Sequence, residues 1–377
     1  MNKELVCKGV LFIGWLALQA FLYNYFGVRI VYDSHRFIEF TTQLVQEKPI
    51  TNPHVLRYLG YPFFLFPFFK LDLSFQWVIF AQAAISGLAG VMLYKAATTL
   101  TNNHWTATIA TGLFLWNPDL QAYNCYILTD SLFISLTTIC LGFTLIQKKR
   151  FLWFIYLGMI AWATLVRPNG FLVPITLAIY TLLEKKPFAY LDRWILVALT
   201  VVACGGLIWV IDRFLLPTFG LMHTYERGDI IFGYYDILLN KYHQPQIPPV
   251  STSRLQELGW FIVKNPFYFL GVALLKGFFF LIHAKPYYTL VHNVLIVGFL
   301  LPLYYFAWIG WRQFDLTKSQ KWLLLIPFLL QLAITMLTIE DWDGRWLYPV
   351  LPPIFLLAAI GFRSYLSKVI NSSLRAK

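Results

Sequence analysis

Thr129-Asp130-Ser131-Leu132-Phe133-Ile134-Ser135-Leu136-Thr137-Thr138-Ile139-Cys140-Leu141-Gly142-Phe143-Thr144-Leu145-Ile146-Gln147-Lys148-Lys149-Arg150 is the stretch whose reading decides the fold. No charged side chain occurs from 131 to 147. An acid stands at one end and a cationic run at the other. An uncharged apolar run approaching ~20 residues is what ~30 Å of hydrocarbon requires. Basic residues gather on the cytoplasmic side of such spans, so the Lys148 end reads as inside and the Asp130 end as outside. The same alternation of apolar spans and short charged interruptions recurs along the chain.

The 377 residues are 58% hydrophobic, 19% aromatic and 13% charged. A soluble globule carries about 25% charged residues, so this composition cannot cover a water-exposed surface. The net charge of +12 is accounted for by basic flanks of spans, as at Lys185-Lys186, Arg363 and Lys368. No basic, aromatic-interleaved soluble domain accompanies it, which excludes a nucleic-acid partner. The cysteines at 7, 125, 140 and 204 show no CxxC or paired spacing, so neither a disulfide framework nor a metal site is implied. The first apolar run continues to Phe26, longer than a signal-peptide core, and reads as an uncleaved span with its N-terminus inside.

An all-α, polytopic transmembrane protein of about ten spans is expected, as a single integral-membrane domain over 1–377. The spans fall at 5–26, 75–94, 105–122, 131–147, 151–166, 171–183, 194–211, 287–311, 322–339 and 346–362. The segment 266–284 is apolar enough to cross but contains Lys276. It is read as a helix at the outer interface, which leaves Arg312, Lys318 and Lys321 inside together with both termini. Two outer segments result, 29–74 and 213–286. In the first, Phe37, Phe40, Leu44 and Val45 share one helical face, which is expected to lie on the membrane.

Arg167-Pro168-Asn169-Gly170 joins two short spans, and Pro168 and Gly170 stop the helix and turn the chain. The turn is expected below the membrane surface, with Arg167 in an outward-open cavity. None of the expected spans holds an acidic or basic residue near its middle, where a charge costs about 2.5–3.5 kcal/mol. Ion-coupled transporters accept that cost; here the ionisable groups collect at the outer face, which favours surface chemistry.

The sequence has no HExxH, GxSxG, P-loop or GxGxxG. Asp33 follows the first span and reads either as a helix cap or as a general base at the water–membrane boundary. Asp130 reads either as an acid complementing a helix dipole or as a second acid facing the same cavity. No cofactor is demanded, although two such acids brought together would share a divalent cation, Mg²⁺ or Mn²⁺. Arg57, Arg167 and Arg345 read as interfacial anchors, as partners for Glu340, Asp341 or Asp343, or as a bidentate cradle for phosphate. Tyr287-Tyr288, Trp342 and Trp346 are candidates to stack on a sugar, against the plainer reading of an interfacial belt.

Four stretches in order resemble the GT-C membrane glycosyltransferases, the branch of protein O-mannosyltransferases and the lipid A aminoarabinose transferase. They are Tyr32-Asp33-Ser34-His35, Arg57-Tyr58-Leu59-Gly60-Tyr61-Pro62, Asn117-Pro118 with Thr129-Asp130-Ser131, and Arg167-Pro168 with Gly344-Arg345-Trp346. Departures are Ser34 where the mannosyltransferases carry Glu, and Leu59 where Pro is usual. The resemblance implies Asp33 as catalytic base, Asp130 as second acid, and Arg345, Arg167 and Arg57 on the donor phosphate. His35, Tyr61, Tyr287, Tyr288 and Asp343, in or beside the outer stretches, are expected to touch substrate. The implied partners are a polyprenyl-phosphate sugar donor, membrane lipids, and a lipid, glycan or protein acceptor. The implied site faces outward from a membrane such as the bacterial cytoplasmic membrane.

That chemistry suits the residue inventory. A phosphate leaving group is stable as an anion and needs cations rather than a general acid. The acceptor hydroxyl needs one base, and in-line attack inverts the anomeric centre. A glycosidase needs a matched pair of carboxyl groups. The competing readings are a lipid or lipid-linked-glycan transporter, and a polysaccharide polymerase or ligase acting on a diphosphate donor.

Overall fold

The structure, a computed structural model, describes residues 3–50, 53–146, 153–185, 221–233, 245–249, 251, 253–339 and 343–375, with isolated residues between 194 and 216. The expected span 194–211 lies largely outside the described residues, as do Lys148-Lys149-Arg150, Lys186, Glu340, Asp341 and Trp342. The helices are α1 Lys3–Phe26, α2 Tyr32–Val45, α3 Gly60–Lys70, α4 Phe75–Thr101, α5 His104–Leu115, α6 Pro118–Ala122, α7 Thr129–Ile146, α8 Trp153–Val166 and α9 Leu172–Lys185. They continue with α10 Leu221–Arg227, α11 Arg254–Lys264, α12 Pro266–Ile282, α13 Leu290–Gln313, α14 Lys318–Leu337 and α15 Leu351–Arg375. An isolated parallel bridge joins Arg29 and Tyr126.

Among the described residues, six helices are long and apolar enough to cross a membrane: Glu4–Phe26, Phe75–Thr101, Thr129–Ile146, Leu290–Arg312, Lys318–Leu337 and Tyr348–Val369. The chain is therefore an integral membrane protein of helical class. Of the other expected spans, 151–166 and 171–183 fall on α8 and α9, beside residues outside the described ones. Segment 105–122 is broken: Asn117 accepts the Leu120 N–H at 2.9 Å and Pro118 starts α6, so α5 ends at Leu115. α8 and α9 are helices of 14 residues each. Segment 266–284, read above as an interfacial helix and not a span, is the helix α12, bent by 107° from α11.

The chain packs as two compact units. One is 1–180 with 302–328 and 348–377; the other is 181–301 with 329–347. In the first unit α4 lies along α5 and α7, and α15 packs on α5. Lipid is as apolar as leucine, so helix association here depends on close backbone approach. Gly310 of α13 and Gly361 of α15 supply it: a Cβ on Gly310 would strike the Leu357 carbonyl oxygen, and one on Gly361 the Phe306 carbonyl oxygen.

The apolar face of α2 corrects the reading that placed it on the membrane. Phe37 and Phe40 are buried against protein, with the Phe37 ring 5.5 Å from Tyr58 and 5.3 Å from Tyr61. The periodicity marks an apolar face; here the 3-10 turn Pro53–Tyr58 and α3 cover it.

Candidate functional site

α1 ends at Gly27, whose φ of +61° is a left-handed turn that glycine adopts without strain. The chain then runs extended beside the 123–128 loop: the Arg29 N–H donates to Cys125 O at 2.8 Å and the Ile127 N–H to Arg29 O at 3.0 Å. This clamp fixes where α2 starts. The Val31 N–H donates to Ser34 Oγ at 2.9 Å, and Asp33 falls in the first turn of α2, where the helix dipole favours a carboxylate.

One turn further, Arg36 donates to Asp33. The Asp33 and Arg36 side chains keep 25% and 32% of their exposure, so the carboxylate remains within reach of an incoming group. His54 joins this pair: burial first, then the Arg57 and Arg36 charges, hold its imidazole below the ordinary histidine range, against the opposing pull of Asp33. Arg57 and His35 are exposed. The segment 29–74 thus folds back to place one partly exposed acid among Arg36, His54 and Arg57.

Asp130 has a different setting. It lies in the first turn of α7, fully buried, and accepts a 2.5 Å bond from Arg167 Nη1. Arg167 is 5% exposed, so it does not stand in the open cavity that the sequence suggested. The buried carboxylate draws it inward. Its turn is covered by protein, with Asn169 and Gly170 buried. Gly170 sits so close to α8 that a Cβ would lie 2.5 Å from the Ala163 carbonyl oxygen. Gly60 likewise sits 2.8 Å, by the same measure, from the Val166 backbone nitrogen. These glycines let the two motif stretches meet at the end of α8.

Tyr61 extends the buried pair. Its fully buried hydroxyl is pushed well above the ordinary tyrosine range, by burial first and by the Asp130 carboxylate second. It donates to Gln82 Oε1 at 2.9 Å. The Gln82 amide in turn donates to the Asn124 and Tyr126 carbonyls, each at 2.9 Å. A polar side chain inside an apolar helix must find such partners, and Gln82 uses them to tie α4 and α3 to the 123–128 loop.

In the second unit, Tyr287, Tyr288 and Asp343 come together. The tyrosine rings meet edge-on at 5.0 Å, Tyr288 packs on His292 at 4.5 Å, and its hydroxyl lies 3.5 Å from Asp343 Oδ1. Gly344 takes a left-handed φ of +73° and the following Arg345 is buried at 8% exposure. Lys276 is fully buried and satisfied: it donates to Thr338 O at 2.5 Å and Thr224 Oγ1 at 3.1 Å, and stands 3.7 Å over the Tyr225 ring. It caps the C-terminal end of α14, where the helix dipole favours a cation.

Among the described residues, no group of three His, Cys, Asp or Glu side chains is gathered as for a metal ion. The chain matches no protein-family model and no curated protein. Sequence reasoning missed Arg36, His54 and Gln82 as parts of the site. The spacing of three from Asp33 signals Arg36, and a lone amide in an apolar span signals Gln82. Nothing local signals His54, which arrives by a long-range fold of the segment 29–74.

Proposed function

We propose that the chain is an integral-membrane, inverting glycosyltransferase of GT-C type, moving a sugar from a polyprenyl-phosphate carrier to an acceptor hydroxyl. The observation that carries this reading is the partly exposed Asp33 set among Arg36, His54 and Arg57 just beyond the first membrane helix. One reachable carboxylate deprotonates the acceptor hydroxyl. The neighbouring cations stabilise the phosphate as it leaves, so no general acid is needed. Asp33 is the base because Asp130, fully buried and paired with Arg167, cannot meet an acceptor without losing its partner.

Asp130, Arg167 and Tyr61 are positioning residues in this account. The donor phosphate falls to Arg57 with Arg36. Arg345, in the second unit, is proposed as a phosphate ligand to be tested by itself. The site faces the outer side of a bacterial cytoplasmic membrane or an equivalent lumenal face, with both termini inside and about ten spans in all.

The test is turnover by purified protein in liposomes supplied with polyprenyl-phosphate sugars, wild type against Asp33→Asn. The account expects sugar transfer to be lost in the variant by a factor of about 10³ or more, with donor binding retained. Full sugar transfer by the variant would remove Asp33 as the base, and lipid translocation without sugar transfer, surviving the substitution, would replace the transferase by a transporter.

A further inference from the structure

Arg29 lies outside every role assigned above, and its setting is unusual for an exposed cation. Its backbone is hydrogen-bonded on both sides to the 125–127 loop. Its guanidinium lies 4.3 Å from the centre of the Phe26 ring and 5.5 Å from that of Tyr126, and Nη1 donates to the Tyr126 hydroxyl at 3.0 Å. No carboxylate within ion-pairing distance accompanies it among the described residues, and the side chain is exposed. The contrast is with Arg36 and Arg167, each paired with an aspartate.

Arginine carries five N–H donors in a rigid plane, and the Tyr126 hydroxyl takes up only part of them. An aromatic shelf and a fixed backbone remove much of the rotamer freedom that an ordinary surface arginine loses on binding. The residue stands just past the outward end of a membrane helix, with Tyr25 at 71% and Ile30 at 41% exposure beside it. A ligand that fits has an anionic fork acceptor attached to an apolar tail.

We propose that Arg29 is a binding residue for the phosphate group of a membrane-embedded lipid. The phosphate oxygens take the guanidinium donors that Tyr126 leaves exposed, and the tail runs along the outer turns of α1. The phosphate comes either from an isoprenoid carrier or from a glycerophospholipid headgroup. The inference stands on the geometry of Arg29, and only the carrier alternative rests on the transferase reading.

The experiment measures binding of farnesyl phosphate, and separately of short-chain phosphatidylglycerol, to the purified full chain in neutral detergent. Wild type is compared with Arg29→Gln, Arg29→Lys and Tyr126→Phe. The expected result is an affinity about tenfold weaker in Arg29→Gln and about threefold weaker in Arg29→Lys and Tyr126→Phe. A loss confined to farnesyl phosphate assigns the site to the carrier; an equal loss for both lipids assigns it to phosphate headgroups in general. Unchanged affinity for both lipids in a folded Arg29→Gln protein overturns the proposal. If that variant does not fold, unchanged affinity in Tyr126→Phe and Arg29→Lys overturns it. Binding is read without turnover, so failure here leaves the Asp33 assignment standing, and the reverse.

Discussion

Asp33 and Asp130 occupy the same local position, the first turn of a helix, and burial gives them different work. Asp33 keeps a quarter of its side-chain exposure and one helical-turn partner, while Asp130 has none and a partner from another element. Both spacings were visible in the sequence; the burial was not, because it depends on what α3 and α8 bring over the residue. Removing one member of a buried pair leaves an uncompensated charge, so Arg167→Met should destabilise the protein by about 3–5 kcal/mol. The double variant Asp130→Asn, Arg167→Met should recover much of that loss, as read by thermal melting in detergent. His54 gives a pH prediction. Its folded value lies below the ordinary ~6.5, so over the interval between them the unfolded chain takes up a proton that the native protein resists. The stability that neutral His54 contributes is full above that interval and is lost as pH falls through it. Melting temperatures compared at about pH 7.5 and about pH 5 should therefore fall further for wild type than for His54→Gln.

Helices were legible where the pattern was long and uninterrupted. The expected 131–147 is α7 nearly to the residue, and the apolar periodicity of 37, 40, 44 and 45 does lie on a helix. What covers an apolar face was not legible: lipid and protein demand the same side chains, so α2 was set on the membrane when it packs on α3. The break in 105–122 was readable from Asn117-Pro118, since proline ends the preceding helix and Asn caps the next. The glycine contacts were not readable, because a glycine in a span signals close approach only once the neighbour is known. Gly361→Ala drives a methyl group into the Phe306 carbonyl across the α13–α15 crossing. It should cost about 1–3 kcal/mol, whereas Gly298→Ala, which meets nothing within 4 Å, should be nearly neutral in the same melting assay.

For the whole molecule, charge-free spans with basic flanks identified a helical membrane protein, and six helices of sufficient length and apolarity bear that out. The proposed orientation is open to a direct check. With Cys204 replaced, and the cysteines at 7, 125 and 140 buried, His35→Cys should react with a membrane-impermeant thiol reagent added outside intact cells. Thr99→Cys, at the opposite end of α4, should react only after the membrane is opened. The reverse pattern would turn the molecule over and place Asp33 on the cytoplasmic side. The central claim, that Asp33 consumes a lipid-linked sugar, is tested most directly by mass spectrometry of the polyprenyl-monophosphate sugars in membranes expressing wild type or Asp33→Asn at equal abundance. The account predicts that one such species is depleted by the wild type and restored in the variant. Identical pools, in a host shown to make these donors, would contradict it.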